Sequence, residues 1–286
     1  MANTILVTGA TGNVGSQVVK QLAATGANIR AAVRSTSRVQ NLTGVEWVEF
    51  DFNKPETVKA AFEGVDKIFL ATPLVPNLEE VEATTVEAAK TAGIKHIVKL
   101  SVMGADTQPK LLLGQMHREG EKRIEASGIS YTFLRPNSFH QNYITYTGET
   151  IKNQNIFYLP MGDGKISLID TRDLGAVAVI TLTQSGHEGK AYEITGAEAL
   201  SNNQIAEIFS KVLDRTINYV DIPEDTARQA MKDTGMPEKQ IDSVLGLYAA
   251  QKNGEYATIS PIVEQITGKK PLLFEQFVRD FIEVFK

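Results

Sequence analysis

Eight residues near the start of the chain, Thr8-Gly9-Ala10-Thr11-Gly12-Asn13-Val14-Gly15, limit its fold more than any other feature. They follow a compact β-branched and aliphatic run, Thr4 to Thr8, and lead into a helical pattern, Val14, Val18, Val19 and Leu22. A glycine-rich turn between a first strand and a first helix is what the pyrophosphate of a dinucleotide requires. Gly9 permits the tight turn, Gly12 lets the backbone approach the phosphates, and Gly15 lets helix and strand pack closely. The loop through Thr11, Asn13 and Val14 then presents the N–H groups of a helix N-terminus to the phosphates.

The same rhythm continues for half the chain. Short apolar runs at Asn28–Val33, Val45–Phe50, Lys67–Ala71, Ile97–Leu100 and Tyr131–Leu134 read as strands, with helices at Glu79–Ala92 and Gln115–Ala126. Gly26, Gly93 and Gly128 close helices as C-terminal glycines do. Strand, helix, strand in this order means right-handed crossovers and a parallel sheet. The runs are apolar at successive positions, as in strands covered on both faces. The expected fold is α/β: a Rossmann-type doubly wound parallel sheet with a small C-terminal α+β substrate subdomain.

After Pro136 the rhythm loosens. Residues 156–169 read as two extended segments turning at Met161-Gly162-Asp163-Gly164, which with Lys165 resembles a phosphate loop only superficially. A helix over Thr171–Leu182, a strand at Tyr192–Thr195 and a helix opened by the capping box Ser201 to Gln204 follow. Ile217–Ile222 is a further extended run, and the last helix carries Phe274, Phe277, Val278, Phe281, Ile282 and Phe285 at core spacing. The expected division is 1–155 as the nucleotide domain, with strand and helix contributions from 156–196. Residues 197–286 form a smaller, mostly helical subdomain at the carboxyl edge of the sheet, where ligands of α/β folds bind.

Composition narrows the function. A net charge of -5 argues against nucleic acid or anionic lipid as a partner. With no cysteine there are no disulfides, thiolate metal sites or cysteine nucleophiles, and no histidine pair has metal-ligand spacing. The N-terminal apolar run is too short for a secretory signal, so the expected location is cytoplasmic and the tripeptide Asn41-Leu42-Thr43 is a chance glycosylation sequon. A monomer or homodimer is expected.

Cofactor choice is read after the second strand, about 20 residues past the glycines, where an Asp or Glu would hold ribose hydroxyls. Here the run is Val33-Arg34-Ser35-Thr36-Ser37-Arg38. The guanidiniums of Arg34 and Arg38, with hydroxyls from Ser35 onward, suit a 2′-phosphate, so the expected cofactor is NADPH. Asp51 and Phe52 would lie beside the adenine, Asp51 serving equally well as a helix cap. Ala71, Thr72 and Pro73 would line the nicotinamide ribose, and Ser101 and Val102 the same carboxyl edge. Met103, Phe139, His140 and Tyr143 are the expected substrate residues. His96 reads as a loop residue and His187 as part of a polar turn.

Thr8 to Gly15, Arg34, Ser101, the stretch Glu121 to Pro136 and the helix opening Asp170 to Asp173 together resemble the NmrA-like, atypical short-chain dehydrogenases, near their quinone and triphenylmethane reductase branch. The resemblance covers essentially the whole chain, and the G-x-x-G-x-x-G spacing is the short-chain dehydrogenase form. It implies NADP binding and hydride transfer to small conjugated acceptors; some members bind the cofactor only to sense redox state. Short-chain dehydrogenases carry a Tyr-x-x-x-Lys acid, and here those positions hold Leu113 and His117. The pair Tyr248 and Lys252 lies far along the chain, where it reads as coincidence. A ketone yields an alkoxide, which needs a positioned acid. A quinone yields a phenolate, whose conjugate acid has a pKa of about 10, within reach of water. The chain therefore reads as an NADPH-dependent reductase of quinones, imines or cationic dyes, or else as a sensor of NADP(H) without turnover. His117 is the expected catalytic residue, supplying a proton or positioning the ribose, with positioning favoured because a phenolate gives an acid little to do.

Overall fold

The computed structural model describes residues 3–39, 42–73, 77–107 and 111–286. Asn41 of the sequon lies outside the described residues, as does the side chain of Arg38. In chain order the elements are β1 (Thr4–Val7), α1 (Gly15–Ala23), β2 (Asn28–Val33), β3 (Val45–Glu49), α2 (Pro55–Phe62), β4 (Lys67–Leu70), α3 (Leu78–Thr91), β5 (His96–Leu100), α4 (Leu112–Ser127) and β6 (Ser130–Pro136). There follow α5 (Gly148–Gln154), β7 (Ile156–Leu159), α6 (Thr171–Thr183), β8 (Lys190–Ile194), α7 (Asn202–Leu213), β9 (Asn218–Asp221), α8 (Glu224–Asp233), α9 (Glu238–Lys252), α10 (Ile262–Thr267), α11 (Phe274–Asp280) and α12 (Ile282–Phe285).

They form two compact units, one of Met1–Pro109, Gly114–Pro136 and Thr171–Glu193, the other of Lys110–Leu113, Asn137–Asp170 and Ile194–Lys286. The expected division at 155 therefore moves. Residues 137–170 belong to the second unit, because the chain leaves the sheet at Pro136 and returns only with α6.

The first unit is built on a seven-stranded sheet of order β3-β2-β1-β4-β5-β6-β8, with β1 to β6 paired in parallel. The order reverses between β1 and β4, and at such a switch point the strand ends diverge and leave a crevice for a ligand. Val18, Val19 and Leu22 of α1 are buried at spacings of one, three and four, which docks the helix along the sheet. Phe62, Ile68, Val86, Ala89, Ile97, Ile124 and Phe133 form a core between the sheet and α2, α3 and α4. His96 is the first residue of β5 rather than a loop residue. It is buried, with its ring nitrogens 3.1 Å from Ser130 Oγ and 3.0 Å from Thr132 Oγ1. Burial lowers its pKa to about 4, so the ring is neutral.

In the second unit β7 pairs in parallel with β9, Phe157 beside Tyr219, so residues 156–169 do not form the expected hairpin. The turn at 161–164 is present, but Ile166 bridges to Leu200 and Ile169 to Phe139 instead. Burial explains the choice of partner. Phe157 is fully buried against Tyr143, Phe209 and Tyr219, contacts that a local hairpin would not supply. The C-terminal helix breaks at Phe281 into α11 and α12, both facing this aromatic core through Phe274, Phe277 and Phe285. The helix α7 opens with the expected capping box, Ser201 Oγ accepting from Gln204 N while Gln204 Oε1 accepts from Ser201 N.

Candidate active site

The turn after β1 is shaped by what its glycines lack. Gly9 has φ +60°, a left-handed conformation that only glycine adopts without strain. A Cβ on Gly15 would stand 2.2 Å from the Gly9 carbonyl oxygen, so helix and turn meet backbone to backbone. Gly12 donates to Gly9 O at 2.8 Å, and the segment Thr11–Asn13 is exposed. The helix that follows has no side-chain cap at Val14 and no acidic residue in its first turn, which leaves its positive end for an anion. Thr8 Oγ1 locks this turn to the neighbouring strand end, donating to Ala71 O at 3.0 Å and accepting from Ala71 N at 2.8 Å.

Around this cradle the sheet edge carries the other expected cofactor residues. Arg34 to Ser37 are exposed at the end of β2, where Ser35 Oγ accepts from Ser37 N and opens a short 3₁₀ turn. Asp51, after β3, uses its carboxylate to cap the turn before α2, accepting from Asn53 N at 2.9 Å. Phe52 packs edge-on against Phe50, 4.8 Å between centroids. Pro73 is exposed and Thr72 half-buried at the end of β4. The set fits a dinucleotide with a 2′-phosphate: a cradle that a Cβ would fill, an uncapped helix start, and an exposed arginine at the end of β2.

Next to the ends of β5 and β6 the site changes character, and α4 meets the sheet through charges. Glu121 is fully buried, accepting from Arg135 Nε at 2.9 Å and Nη2 at 2.7 Å, and from Ser101 Oγ at 2.7 Å. Arg135 also reaches Asp106 at 2.5 Å, and Arg118 reaches Glu121 at 3.1 Å. Burial opposes the Arg135 charge, but bonds from Glu121 and Asp106 outweigh it and hold the guanidinium well above its usual pKa. Val102 is half-buried; Met103 is buried, its N–H on Pro136 O. One turn earlier on α4, His117 is buried, and its pKa falls to about 3 through burial and the nearby Lys99 charge. The imidazole is therefore neutral at any ordinary pH and is not a charged acid. Lys99 itself is fully buried in β5 and ion-paired with Glu82 of α3, which also accepts from Thr72 Oγ1 at 2.8 Å.

Sequence reasoning passed over Lys99 and Glu82, although a signal was there. A lysine inside Ile97-Val98-Lys99-Leu100, a strand covered on both faces, has to meet a buried partner. Glu82 likewise sits in the buried stripe Leu78, Val81, Thr85, Val86 and Ala89 of α3.

Of the residues expected at the substrate, Met103 lies in the first unit and Phe139, His140 and Tyr143 in the second. His140 and Tyr143 are 1% and 4% exposed, packed among Phe157, Phe209, Phe274 and Phe277. Tyr143 gives its hydroxyl to Asn202 Oδ1 at 2.6 Å, and burial pushes its pKa well above the usual phenol value. Both rings thus pack into the aromatic core rather than onto an open face, which corrects the expectation that they face the substrate; Tyr143 opens a π-helical turn, Tyr143–Thr147, and His140 lies in the turn before it. Phe139 is half-buried. Tyr248 and Lys252 lie on α9 of the second unit, where they line a cleft of about 290 Å³ with Pro160, Asp221 and Leu245. Among the described residues no cluster of three metal-ligating side chains occurs, and no helix is long and apolar enough to cross a membrane.

Comparisons with known proteins agree along the full length. The chain is 38% identical over 283 residues to an NAD(P)H azoreductase from Xenophilus azovorans, covering 98% of this chain and 99% of that one. The structure superposes with a TM-score of 0.87 on the NADPH complex of a quinone oxidoreductase from Escherichia coli, at 29% identity and covering 97% and 99% of the two chains. The corresponding values for the NADP(H) complex of the triphenylmethane reductase from Citrobacter sp. are 0.84, 26%, 97% and 99%. The profile of the NmrA-like family matches residues 1–280, and the chain belongs to that family.

Proposed function

We propose that this chain is an NADPH-dependent reductase whose acceptors are quinones and similar conjugated small molecules. The observation that carries the reading is the dinucleotide cradle, where a Cβ on Gly15 would stand 2.2 Å from the Gly9 carbonyl oxygen, in a chain whose His117 is buried and neutral. NADPH, when bound, supplies a hydride. Gly9, Thr11, Gly12, Asn13, Val14 and Gly15 would hold its pyrophosphate, and Arg34, Ser35 and Arg38 its 2′-phosphate. Asp51 and Phe52 would flank the adenine, while Ala71, Thr72, Pro73, Ser101 and Val102 would line the nicotinamide end, with Met103 toward the acceptor.

The chain's acid equipment sets the acceptor class. Leu113 carries no proton to give, and an imidazole with a pKa of about 3 does not act as an imidazolium acid. Acceptors that spread the incoming electron pair over a conjugated system need less help than a simple ketone. The acceptors named for the three relatives, azo compounds, quinones and triphenylmethane dyes, share that property.

A steady-state assay of NADPH oxidation tests this with one quinone, one azo dye, one cationic triarylmethane dye and one unconjugated ketone. Turnover is expected with conjugated acceptors and not with the ketone. Ketone reduction at a comparable rate would break the argument from acidity, and no oxidation with any acceptor would leave a protein that binds NADP(H) as a sensor.

A further inference from the structure

The end of β4 is held from two sides. Thr8 Oγ1 fixes the Ala71 backbone, donating to its carbonyl at 3.0 Å and accepting from its N–H at 2.8 Å. A Cβ on Gly9 would touch the Ala71 side chain at 3.4 Å, so this strand end lies against the glycine turn. The next side chain, Thr72, gives its hydroxyl proton to Glu82 Oε1 at 2.8 Å, and the same oxygen takes the Lys99 ammonium. Glu82 and Lys99 are fully buried, whereas Thr72 is half-buried. The second carboxylate oxygen, Glu82 Oε2, has no hydrogen-bond partner and lies against Gly120 of α4, where a Cβ would overlap it. Lys99 and the backbone of α4 thus fix the carboxylate with Oε1 toward Thr72.

We propose that Glu82, seated by Lys99 and Gly120, is a positioning residue that makes Thr72 a hydrogen-bond acceptor for the nicotinamide half of NADPH. The inference rests on the NADPH reading above and gives this strand end a polarity. A threonine hydroxyl has one proton to give and two lone pairs. A carboxylate only accepts, so the Thr72 proton is committed to Glu82 and its lone pairs are left for a ligand. The cofactor group that meets them must then be a donor, which a hydroxyl of the nicotinamide ribose is. Glu82 acts on the cofactor through Thr72.

Three features support this role. A buried ion pair is weak ground for stability, since apolar residues of similar volume often replace it without loss. Apolar residues at 82 and 99 could not take the Thr72 proton. A charged acceptor also holds a hydroxyl more firmly than a neutral one, so the orientation is set before the cofactor arrives. Thr72 is, finally, the one polar side chain among Ala71, Thr72 and Pro73, and Ala71 already has its N–H and carbonyl engaged with Thr8.

The test separates the two halves of the cofactor by calorimetric titration. Adenosine 2′,5′-bisphosphate carries the 2′-phosphate and has no nicotinamide ribose. Thr72→Val removes the acceptor and keeps the shape. It is expected to weaken NADPH binding about tenfold, the share of one hydrogen bond, and to change bisphosphate binding less than about twofold. Thr72→Ser keeps the hydroxyl and is expected to bind NADPH within about threefold of wild type. Equal weakening of both ligands, no weakening of NADPH, or a serine variant as weak as the valine one would overturn the assignment. The double variant Lys99→Met/Glu82→Met leaves no buried charge and should weaken NADPH in the same selective way. Adding Thr72→Val to it should cost less than about twofold more, because both changes cut one chain of contacts. No selective weakening, or a further loss as large as in wild type, would mean that Thr72 works without Glu82 and would overturn the positioning role. Should the double variant fail to fold, the crystal structure of wild type with NADPH decides. Thr72 Oγ1 within about 3.2 Å of both Glu82 and a nicotinamide-ribose hydroxyl supports the role, and a ribose without Thr72 beside it overturns it. Wild type that binds neither ligand fails the NADPH reading itself, whereas wild type that binds both, with Thr72→Val indifferent, fails this inference alone.

Discussion

The nucleotide cradle and the charged layer under α4 lie in the same unit and are made of opposite materials. The cradle is backbone and open to solvent: Gly9, Gly12 and Gly15 leave space, and exposed Arg34 waits at its rim. The layer is side chain and closed: Glu82, Lys99, Glu121 and Arg135 are each 5% exposed or less. A backbone cradle can lose its ligand without losing the fold, because the atoms that make it also make the sheet and helix. A buried ion layer cannot lose one member cheaply, because the partner's charge is left in a medium that does not solvate it. The two parts should therefore fail in different ways when cut.

The largest effect is expected in the layer. Glu121→Ala leaves the buried Arg135 guanidinium with Asp106 as its one carboxylate and takes the acceptor from the Ser101 hydroxyl, and should cost about 3 kcal/mol of unfolding free energy. Urea denaturation checks this. A loss below about 1 kcal/mol, the value of a surface pair, would mean that water reaches Arg135 and that the layer is not closed.

In the cradle, Gly12→Val puts a branched side chain on the exposed turn, its Cβ 3.3 Å from the Gly9 carbonyl oxygen, where the pyrophosphate approaches. NADPH binding should fall by about two orders of magnitude, roughly 3 kcal/mol, while the melting transition stays near wild type. A variant that unfolds instead would erase the contrast between cradle and layer. Arg34→Ala should be milder. Losing one charge-assisted phosphate contact costs roughly 1.5–3 kcal/mol of NADPH binding and leaves NADH binding unchanged. Equal weakening of both nucleotides would place Arg34 away from the 2′-phosphate.

The last effect is a matter of pH. The folded-state pKa of His96, about 4, lies below the 6.5 of the free side chain, so the unfolded state binds the proton first. Its contribution to stability is complete above pH 6.5 and is lost as pH falls toward and through 4. His117, at about 3, titrates in the same sense. His96→Gln should therefore flatten the acid side of the stability curve between pH 6.5 and 4, seen in denaturation midpoints across that range. An unchanged slope would mean that His96 is solvated in the folded chain.

How far each part could be read from sequence follows from the same contrast. The glycine turn is local: spacing, the flanking strand and the flanking helix sit within twenty residues, and the structure repeats that order. The parallel strands were legible for the same reason, since continuous apolar runs mark burial on both faces. The layer was not, because its pairs join residues 17, 14 and 20 positions apart, and only the fold says which charges meet. Local reasoning also misled at Ile156, whose alternation marks a strand without naming its partner, and the partner is Asn218. His140 and Tyr143 look like ligand-facing polar aromatics in a loop, yet distant phenylalanines close over them.

NADPH held in a backbone cradle of the first unit and recognised by its 2′-phosphate would have a plain binding signature. Calorimetric titration of the wild-type protein with NADPH and then with NADH tests it most directly. One nucleotide per chain and at least tenfold tighter binding of NADPH are expected. Equal affinities for the two nucleotides would contradict it.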